Sequence, residues 1–508
     1  MSLLGIDIGS GRCKGAAFDG CGSIVAQAVR SYDTVSRGGN RVEIDAERFW
    51  DAMVAVTREI AAATGRDPVE ALAVSSHGET FIPVGKDGRA VGPAVMNADN
   101  RAVEEAAWWR DHFGADRVYA ITGLPLHAMF ALNKIMWLKK HDRDTYSRGV
   151  KFLNVADYVL ARMAMPCCTD FSLAGRTMAF DIRTKTLSDE ILAAAGIGKE
   201  RFPEPVPAGS VVGRLSRRVA AELELHEGVV VAMGGHDQPC GALGSGAVNP
   251  GQVSLSAGTY ECAAAVSASP MNSDKAMAYH LNSYCHVVPD RYVTLAFFPA
   301  GIATRWFVEQ FCGEDRMVAE RENRSLYDVL DERAAAACPG PSGICFTPHL
   351  VGACNPYWDL RATGALVGLT SGKTRHHLYK ALYEGIACEL AVNVAALEEV
   401  VGHFPALSIS GGNARVDLSI QLRADLTGKK VHTLHCSETG CLGAALLAGV
   451  AAGVYKDVAD AAARAARINR TFLPDASSCL AYAEQFQQYK MLYASLVGIR
   501  EMTRRSSY

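Results

Sequence analysis

Two stretches far apart in the chain share one pattern: LLGIDIGSGRCKGAAF near the start, and GQVSLSAGTYECAAAVSA at 251–268. In each, an apolar strand reaches a Gly-hydroxyl turn, Gly9-Ser10 or Gly258-Thr259, and a second apolar strand follows. A repeated strand–turn–strand unit constrains the fold, because each copy must seed its own sheet and bury its own apolar face. The length of 508 residues agrees, since single cores stop growing at roughly 250–300 residues. The predicted boundary lies in Gly244–Gly251, dividing the chain into halves 1–245 and 246–508. Asp7 of the first copy becomes Ser256 in the second.

Between these units strands alternate with helices. Phe49, Met53, Val56 and Ile60 are spaced for a helix over Asp45–Ala63, ended by Gly65. VEALAVSS then reads as a strand running into His77-Gly78-Glu79-Thr80. Residues 406–434 read strand, Gly-Gly turn, helix, strand. Such alternation predicts an α/β fold, with ligand sites at the carboxyl ends of strands. The most apolar segment, CLGAALLAGVAAGVY at 441–455, is shorter than the ~20 residues of a membrane helix. Its Ala and Gly content suits a tightly packed internal helix instead. Trp108-Trp109 reads as core and surface on an amphipathic helix, and Arg375-His376-His377 as a water-facing helix turn.

Bulk properties exclude some partners. A net charge of −3 gives no electrostatic reason to expect nucleic acid or an anionic membrane. The 15 cysteines include no CxxC pair and no zinc-ligand spacing, which reads as reduced thiols in a cytoplasmic protein. Asp7 interrupts the N-terminal apolar run too early for a signal peptide.

Three Gly turns follow strands: Gly9-Ser10-Gly11, Gly258-Thr259 and Gly411-Gly412-Asn413. Backbone amides at such turns can converge on a phosphate, and glycine lets it approach closely. Each turn alone is commonly only a turn; two matching copies strengthen the phosphate reading. A helix starting after Gly412 would add its dipole. No GxxxxGK[ST] run is present. Asp237 is the lone acid in GGHDQPCGALGSG. It reads either as a partly desolvated general base for phosphoryl transfer to an alcohol, or as a helix cap. Asp7 is either a Mg²⁺ holder acting through water or an Asx turn. Lys14 points to phosphate or to solvent. His77 and Glu79 read as a polar pair in a solvated loop or as site residues, and Asn97, Asp99 and Arg101 can pair locally.

Six ordered segments together carry a family resemblance: DIGSGRCKG, RVEIDAERFW, GGHDQPCGALG, SAGTYECA, SGGNARVDLSIQLRADLTGKKV and ETGCLGAALLAGVAAGVY. The chain resembles the FGGY carbohydrate kinases, which include glycerol kinase, xylulokinase, ribulokinase and autoinducer-2 kinases. The resemblance implies an internally duplicated two-domain ATPase fold of the ribonuclease H/actin type. It implies a sugar bound to the first domain, ATP bound mainly to the second with Mg²⁺, and closure of the cleft between them. It places Asp237 as the base and Gln238 as a substrate contact. It assigns Gly9, Ser10, Gly11, Arg12 and Lys14 to the first phosphate loop, Gly258 and Thr259 to the second, and Gly411, Gly412 and Asn413 to the adenosine segment. A homodimer is a further family expectation.

The resemblance departs from glycerol kinase on the acceptor side. In SHGET, Gly78 stands where that enzyme has Arg, while Glu79 and Thr80 match. Asn97-Ala98-Asp99-Asn100-Arg101 replaces the family's W-x-D-x-R, exchanging an apolar wall for an amide. Met129 stands where glycerol kinase has Tyr. The expected substrate is a small sugar, a ketopentose first. The alternative is a tetritol, other polyol or linear hydroxy-ketone, with His77, Glu79, Thr80, Asn97, Asp99 and Gln238 as contacts. The rivals from other classes are an ATP-driven chaperone or filament of the same fold and a degenerate sugar-binding regulator.

Overall fold

The computed structural model describes residues 1–38 and 40–505. The first half builds a six-stranded sheet from β1 (Ser2–Ile8), β2 (Arg12–Phe18), β3 (Ile24–Ser31), β4 (Val69–Ser76), β5 (Val211–Arg214) and β6 (Val230–His236), in the order β5-β6-β4-β1-β2-β3. The second half builds a seven-stranded sheet from β7 (Val253–Ala257), β8 (Tyr260–Ser267), β9 (Asn282–Cys285), β10 (Tyr292–Pro299), β11 (Ala406–Ser410), β12 (Lys430–Leu434) and β13 (Ile468–Phe472), in the order β9-β10-β8-β7-β11-β12-β13.

The repeat seen in the sequence is a repeat of topology. β1 pairs antiparallel with β2 and parallel with β4, which pairs parallel with β6. β7 pairs antiparallel with β8 and parallel with β11, which pairs parallel with β12. Register places Asp7 opposite Lys14 in the first hairpin and Ser256 opposite Cys262 in the second. β1 is buried on both faces, as a central strand with parallel pairing requires. Helix α1 (Glu47–Ala63) buries Phe49, Met53, Val56 and Ile60 as their spacing predicts. Among the described residues no helix is long and apolar enough to cross a membrane.

Two helices join the halves. α2 (Asp237–Gly244) follows β6 directly, and α3 (Thr439–Ala451) is the Ala/Gly-rich segment of the second half. Leu442, Ala445 and Leu446 of α3 share one core with Leu3, Ala16, Phe18, Ala71 and Ala73 of the first sheet. The approach is backbone to backbone. A Cβ on Gly5 would lie 1.8 Å from the Cys441 carbonyl oxygen, on Gly443 1.9 Å from that of Cys240, and on Gly244 2.1 Å from that of Thr439. No side-chain rotation relieves such contacts. Gly443→Ala is therefore expected to cost about 2 kcal/mol or more by overpacking, read by denaturant unfolding; an unchanged midpoint and slope would remove this account of the joint.

Two expectations are corrected. The helix expected after Gly412 does not start at the turn itself: residues Gly412–Arg415 form a 3-10 turn and the α-helix Asp417–Thr427 begins beyond it, so its dipole is displaced from the Gly turn. Arg375 and His376 do not simply face water. Each has a ring or guanidinium nitrogen 3.0 Å from the carboxylate of Asp315, which is fully buried and needs polar partners, while Arg375 keeps a third of its side chain exposed. Periodicity places a residue on a helix but says nothing of its tertiary partner. The helix does divide the tryptophan pair between core and surface, but in the opposite order: Trp109 is buried, with its Nε1–H donating to Asn133 at 2.8 Å, and Trp108 is half-buried.

Candidate active site

Asp237 is the first residue of α2, where the wholly buried strand β6 ends. The capping alternative fails: His236 is the N-cap residue and no side chain caps this helix. Its Oδ1 is buried without a hydrogen-bond partner, while the side chain keeps 25% exposure. Burial pushes the carboxyl well above the ordinary range, and the carboxylates of Asp7 and Glu79 push the same way. The Gln238 amide and Arg176 oppose them. A desolvated carboxylate with an unfilled oxygen is a proton acceptor in waiting.

Asp237 and Gln238 line a cavity of ≈140 Å³ with Asp7, Lys14, Ser256 and Gly411, so residues of both halves meet there. Ser410, Gly411 and Ser437 also border a neighbouring cleft of ≈340 Å³, walled by Ala414, Ile420 and His435. The small chamber thus shares a wall with a larger, mainly polar cleft, a shape suited to phosphates beside a nucleoside.

Asp7 accepts a hydrogen bond from the Ser75 hydroxyl at 3.1 Å. Burial raises its carboxyl, with Lys14 opposing. Lys14 does not face open solvent: its Nζ donates to Glu438 at 2.5 Å, across the two halves. A Cβ on Gly440 would lie 2.9 Å from Asp7 Oδ2, so glycine there leaves room beside the carboxylate. Asp7, Asp237 and Glu438 line this cavity with Ser256 and Thr439, which gives it oxygen donors of the kind Mg²⁺ takes, although the three carboxylates are not gathered about one point.

The phosphate turns are only partly free. The Gly9 amide donates to the Arg12 carbonyl at 2.9 Å and that of Gly258 to Tyr260 at 3.1 Å, so each is spent inside its own turn. The expectation that several amides of such a turn can converge on an anion therefore loses these two donors. Ser10, Gly11, Arg12 and Thr259 are exposed. Gly411 has φ +93°, and a Cβ there would lie 2.8 Å from the Ala257 carbonyl oxygen, so this turn abuts the end of β7. Asn413 keeps a buried Nδ2 donor without a partner, an unfilled bond of the kind a ligand completes.

On the acceptor side, the solvated-loop reading of His77 and Glu79 gives way, since they are 4% and 5% exposed. His77 is 2.9 Å from the Ile8 carbonyl through Nδ1 and 2.8 Å from Thr80 Oγ1 through Nε2. Thr80 Oγ1 also accepts the Asn97 amide at 2.9 Å, which ties these three positions into one network. Asp99 takes the local alternative: it is enclosed, receiving Arg101 Nε at 2.9 Å and the Val42 amide at 2.7 Å.

Sequence reasoning missed several residues here. Arg176 Nε donates to Glu79 at 2.5 Å, and its guanidinium lies over the rings of Phe130 and Tyr284. A Cβ on Gly78 would lie 2.8 Å from Arg176 Cγ, so the missing side chain at 78 makes room for this arginine. Lys134 is buried and donates to the Met96 carbonyl at 2.8 Å; burial pushes its ammonium down to about 7. His236 and Tyr284 stand behind Asp237. Only His236 left a local signal, beside the acid in GGHD. Arg176, Lys134 and Tyr284 arrive from distant segments.

The model of the FGGY family of carbohydrate kinases, N-terminal domain, matches residues 2–244, and that of its C-terminal domain matches residues 253–452. An autoinducer-2 kinase of Klebsiella pneumoniae subsp. pneumoniae is 28% identical over 510 residues, covering 98% of this chain and 94% of its own length. A gluconokinase of Bacillus subtilis is 25% identical over 454 residues, covering 89% of this chain and 88% of its own. Among solved structures, a xyloylose kinase from Brucella ovis superposes with a TM-score of 0.86 at 24% identity, covering 98% of this chain and 100% of that one. The duplicated sheets are those of the two-domain actin/hexokinase-like ATPase fold.

Proposed function

This chain belongs to the FGGY family of carbohydrate kinases, and from that premise we propose that it uses ATP to phosphorylate a hydroxyl of a small uncharged sugar, a ketopentose before other acceptors. The observation that carries the reading is Asp237: a buried carboxylate with an unfilled oxygen, at a cavity shared by both halves. The acceptor hydroxyl gives its proton to Asp237 as its oxygen bonds to the γ-phosphorus and the bond to the ADP oxygen breaks. Lys14 and the Gly9–Arg12 and Gly258-Thr259 turns lie toward the phosphates, and Gly411, Gly412 and Asn413 toward the adenosine. Asp7 would hold Mg²⁺, which would supply positive charge to offset the phosphates. Glu79, His77, Thr80, Asn97 and Gln238 orient the acceptor, with residues 1–245 as the sugar domain and 246–508 as the nucleotide domain.

Charge balance favours a neutral acceptor over an aldonate. Arg176 is neutralised by Glu79, and Arg101 by Asp99 and Glu43 at 2.8 and 2.7 Å. Lys134 is held toward its uncharged form. A carboxylate-bearing sugar would have to compete with Glu79 and Asp99 for the arginines they already neutralise. In an ADP-release assay, a ketopentose is expected to give kcat/KM at least tenfold above gluconate, the factor that about 1.4 kcal/mol of unmatched charge supplies. Gluconate as the better acceptor would overturn the neutral-substrate reading. A second reading, a polyol or linear hydroxy-ketone, draws on Asn97, whose amide can bind a hydroxyl or carbonyl; the same panel separates the two. Turnover independent of any sugar would favour the chaperone class, and none with any acceptor the regulator.

A further inference from the structure

One group of three metal-ligating side chains shares no residue with the cavity of Asp237. Glu104 and Glu105 open the helix Val103–His112, and His141 closes the helix Ala131–His141. One oxygen from each carboxylate and one ring nitrogen lie within 4.8 Å of one another. The His141 ring stacks on Trp137 at 4.8 Å, which sets its plane and leaves its nitrogens at the edge.

Glu105 is the residue in this group that lacks a partner. It is 6% exposed, yet its Oε2 is buried without a hydrogen bond. A buried carboxylate oxygen is normally met by a donor or a cation. Three basic side chains, Lys139, Lys140 and Arg143, border the same ≈580 Å³ cavity as the two glutamates, and none fills that role. Lys139 donates to the Gly196 carbonyl instead, and Lys140 Nζ lies 3.1 Å from Oε2 of Glu104. The Lys140–Glu104 pair is exposed, so it is weak and yields to a stronger cation. A small ion entering from the cavity can reach what no lysine does.

We propose that Glu104, Glu105 and His141 bind one divalent transition-metal cation, of the zinc class, with water completing its shell. Two carboxylates supply the charge, and the imidazole selects zinc over Mg²⁺, which takes oxygen donors. Donors on one zinc ion, each about 2.0–2.2 Å from it, stand no more than about 4.4 Å apart. The cluster is slightly wider than that, and Glu104 and His141, both exposed, can swing to close the difference. The ion clasps the two helices. Trp137 also lies under the guanidinium of Arg101 at 4.9 Å, and Arg101 holds Asp99. The clasp therefore steadies segment 97–101 from outside the acceptor site. The assignment does not depend on the kinase reading.

Calorimetric titration of the EDTA-treated full chain with ZnCl₂ tests this, without nucleotide or acceptor. The wild-type chain is expected to take up one equivalent and to melt higher as it does. His141→Ala and Glu105→Gln are each expected to weaken that binding at least about tenfold, since even outer-shell partners of a metal are worth that much. Lys140→Ala, which removes the competing ammonium, is expected to tighten it. His141 and Lys140 are exposed, so those two variants test the site even if Glu105→Gln fails to fold. Co²⁺ in place of zinc is expected to show d–d absorption without a thiolate charge-transfer band. Absence of binding, or an affinity unchanged in His141→Ala, would overturn the proposal. So would a thiolate band, which would move the ion to the exposed Cys21 or Cys167.

Discussion

Asp237→Asn is expected to lower kcat roughly 10²–10⁴-fold, the range spanned by general-base catalysis, while ATP binding measured by calorimetry stays within about twofold. Asparagine keeps the shape of the side chain and removes only the ability to take a proton. The wild-type rate should fall as pH is lowered through a value well above the ordinary carboxylate range, because burial and the neighbouring Asp7 and Glu79 oppose ionisation. The residual rate of the variant should lack that limb. Stability gives an independent check with a definite sign. Between the unfolded value and the raised folded value, the native state keeps a proton that the unfolded state has released. Stability contributed by this group therefore declines as pH rises through that window. At neutral pH an ionised Asp237 is a cost to the fold, so the Asn variant should melt no lower than wild type while losing its activity. A variant that keeps kcat within tenfold of wild type would take Asp237 out of the mechanism. A variant that loses activity only by melting early would show its carboxylate to be structural.

The parts of this design legible in the sequence are those carried by short, contiguous patterns. The duplication was visible because each copy compresses strand, turn and strand into one stretch, and the register bears out the match of Asp7 with Ser256. Asp237 stood out because a charge among small residues has few structural uses. The Ala/Gly run at 441–455 announced close packing, but not that Gly443 would meet the Cys240 backbone or that Gly5 would meet Cys441. Contacts joining distant segments left no trace. Arg176 reaches Glu79 from 97 positions away, and Lys14 reaches Glu438 from 424. The delay of the α-helix beyond Gly412 has a local cause. Gly411 adopts φ +93° against the Ala257 carbonyl, so the chain has to turn through the short 3-10 segment before an α-helix can begin.

The Arg176–Glu79 pair supplies the second large effect. The side chains are 5% and 6% exposed, so neither charge is screened by water. Glu79 also holds φ 63°, a left-handed conformation that costs a non-glycine residue on the order of 1–3 kcal/mol unless its surroundings impose it. Glu79→Gln would leave the guanidinium buried between Phe130 and Tyr284 without a counter-charge, facing only neutral amide oxygens, that of the new side chain and Asn282 Oδ1 at 3.2 Å. Removing one member of a buried pair costs about 3–5 kcal/mol, which urea unfolding would read directly. The same substitution is expected to raise the acceptor KM at least about tenfold, with the ATP KM little changed. Loss of stability alone would not prove a role in recognition, so the double variant Glu79→Gln/Arg176→Met is the decisive one. Replacing both charges removes the stranded cation, and most of the stability should return. If Glu79 orients the sugar, the acceptor KM should stay high in the double variant although the fold has recovered. Recovery of both together would make the pair a strut between β4 and the second sheet, and equal changes in the two KM values would place Glu79 outside the acceptor site.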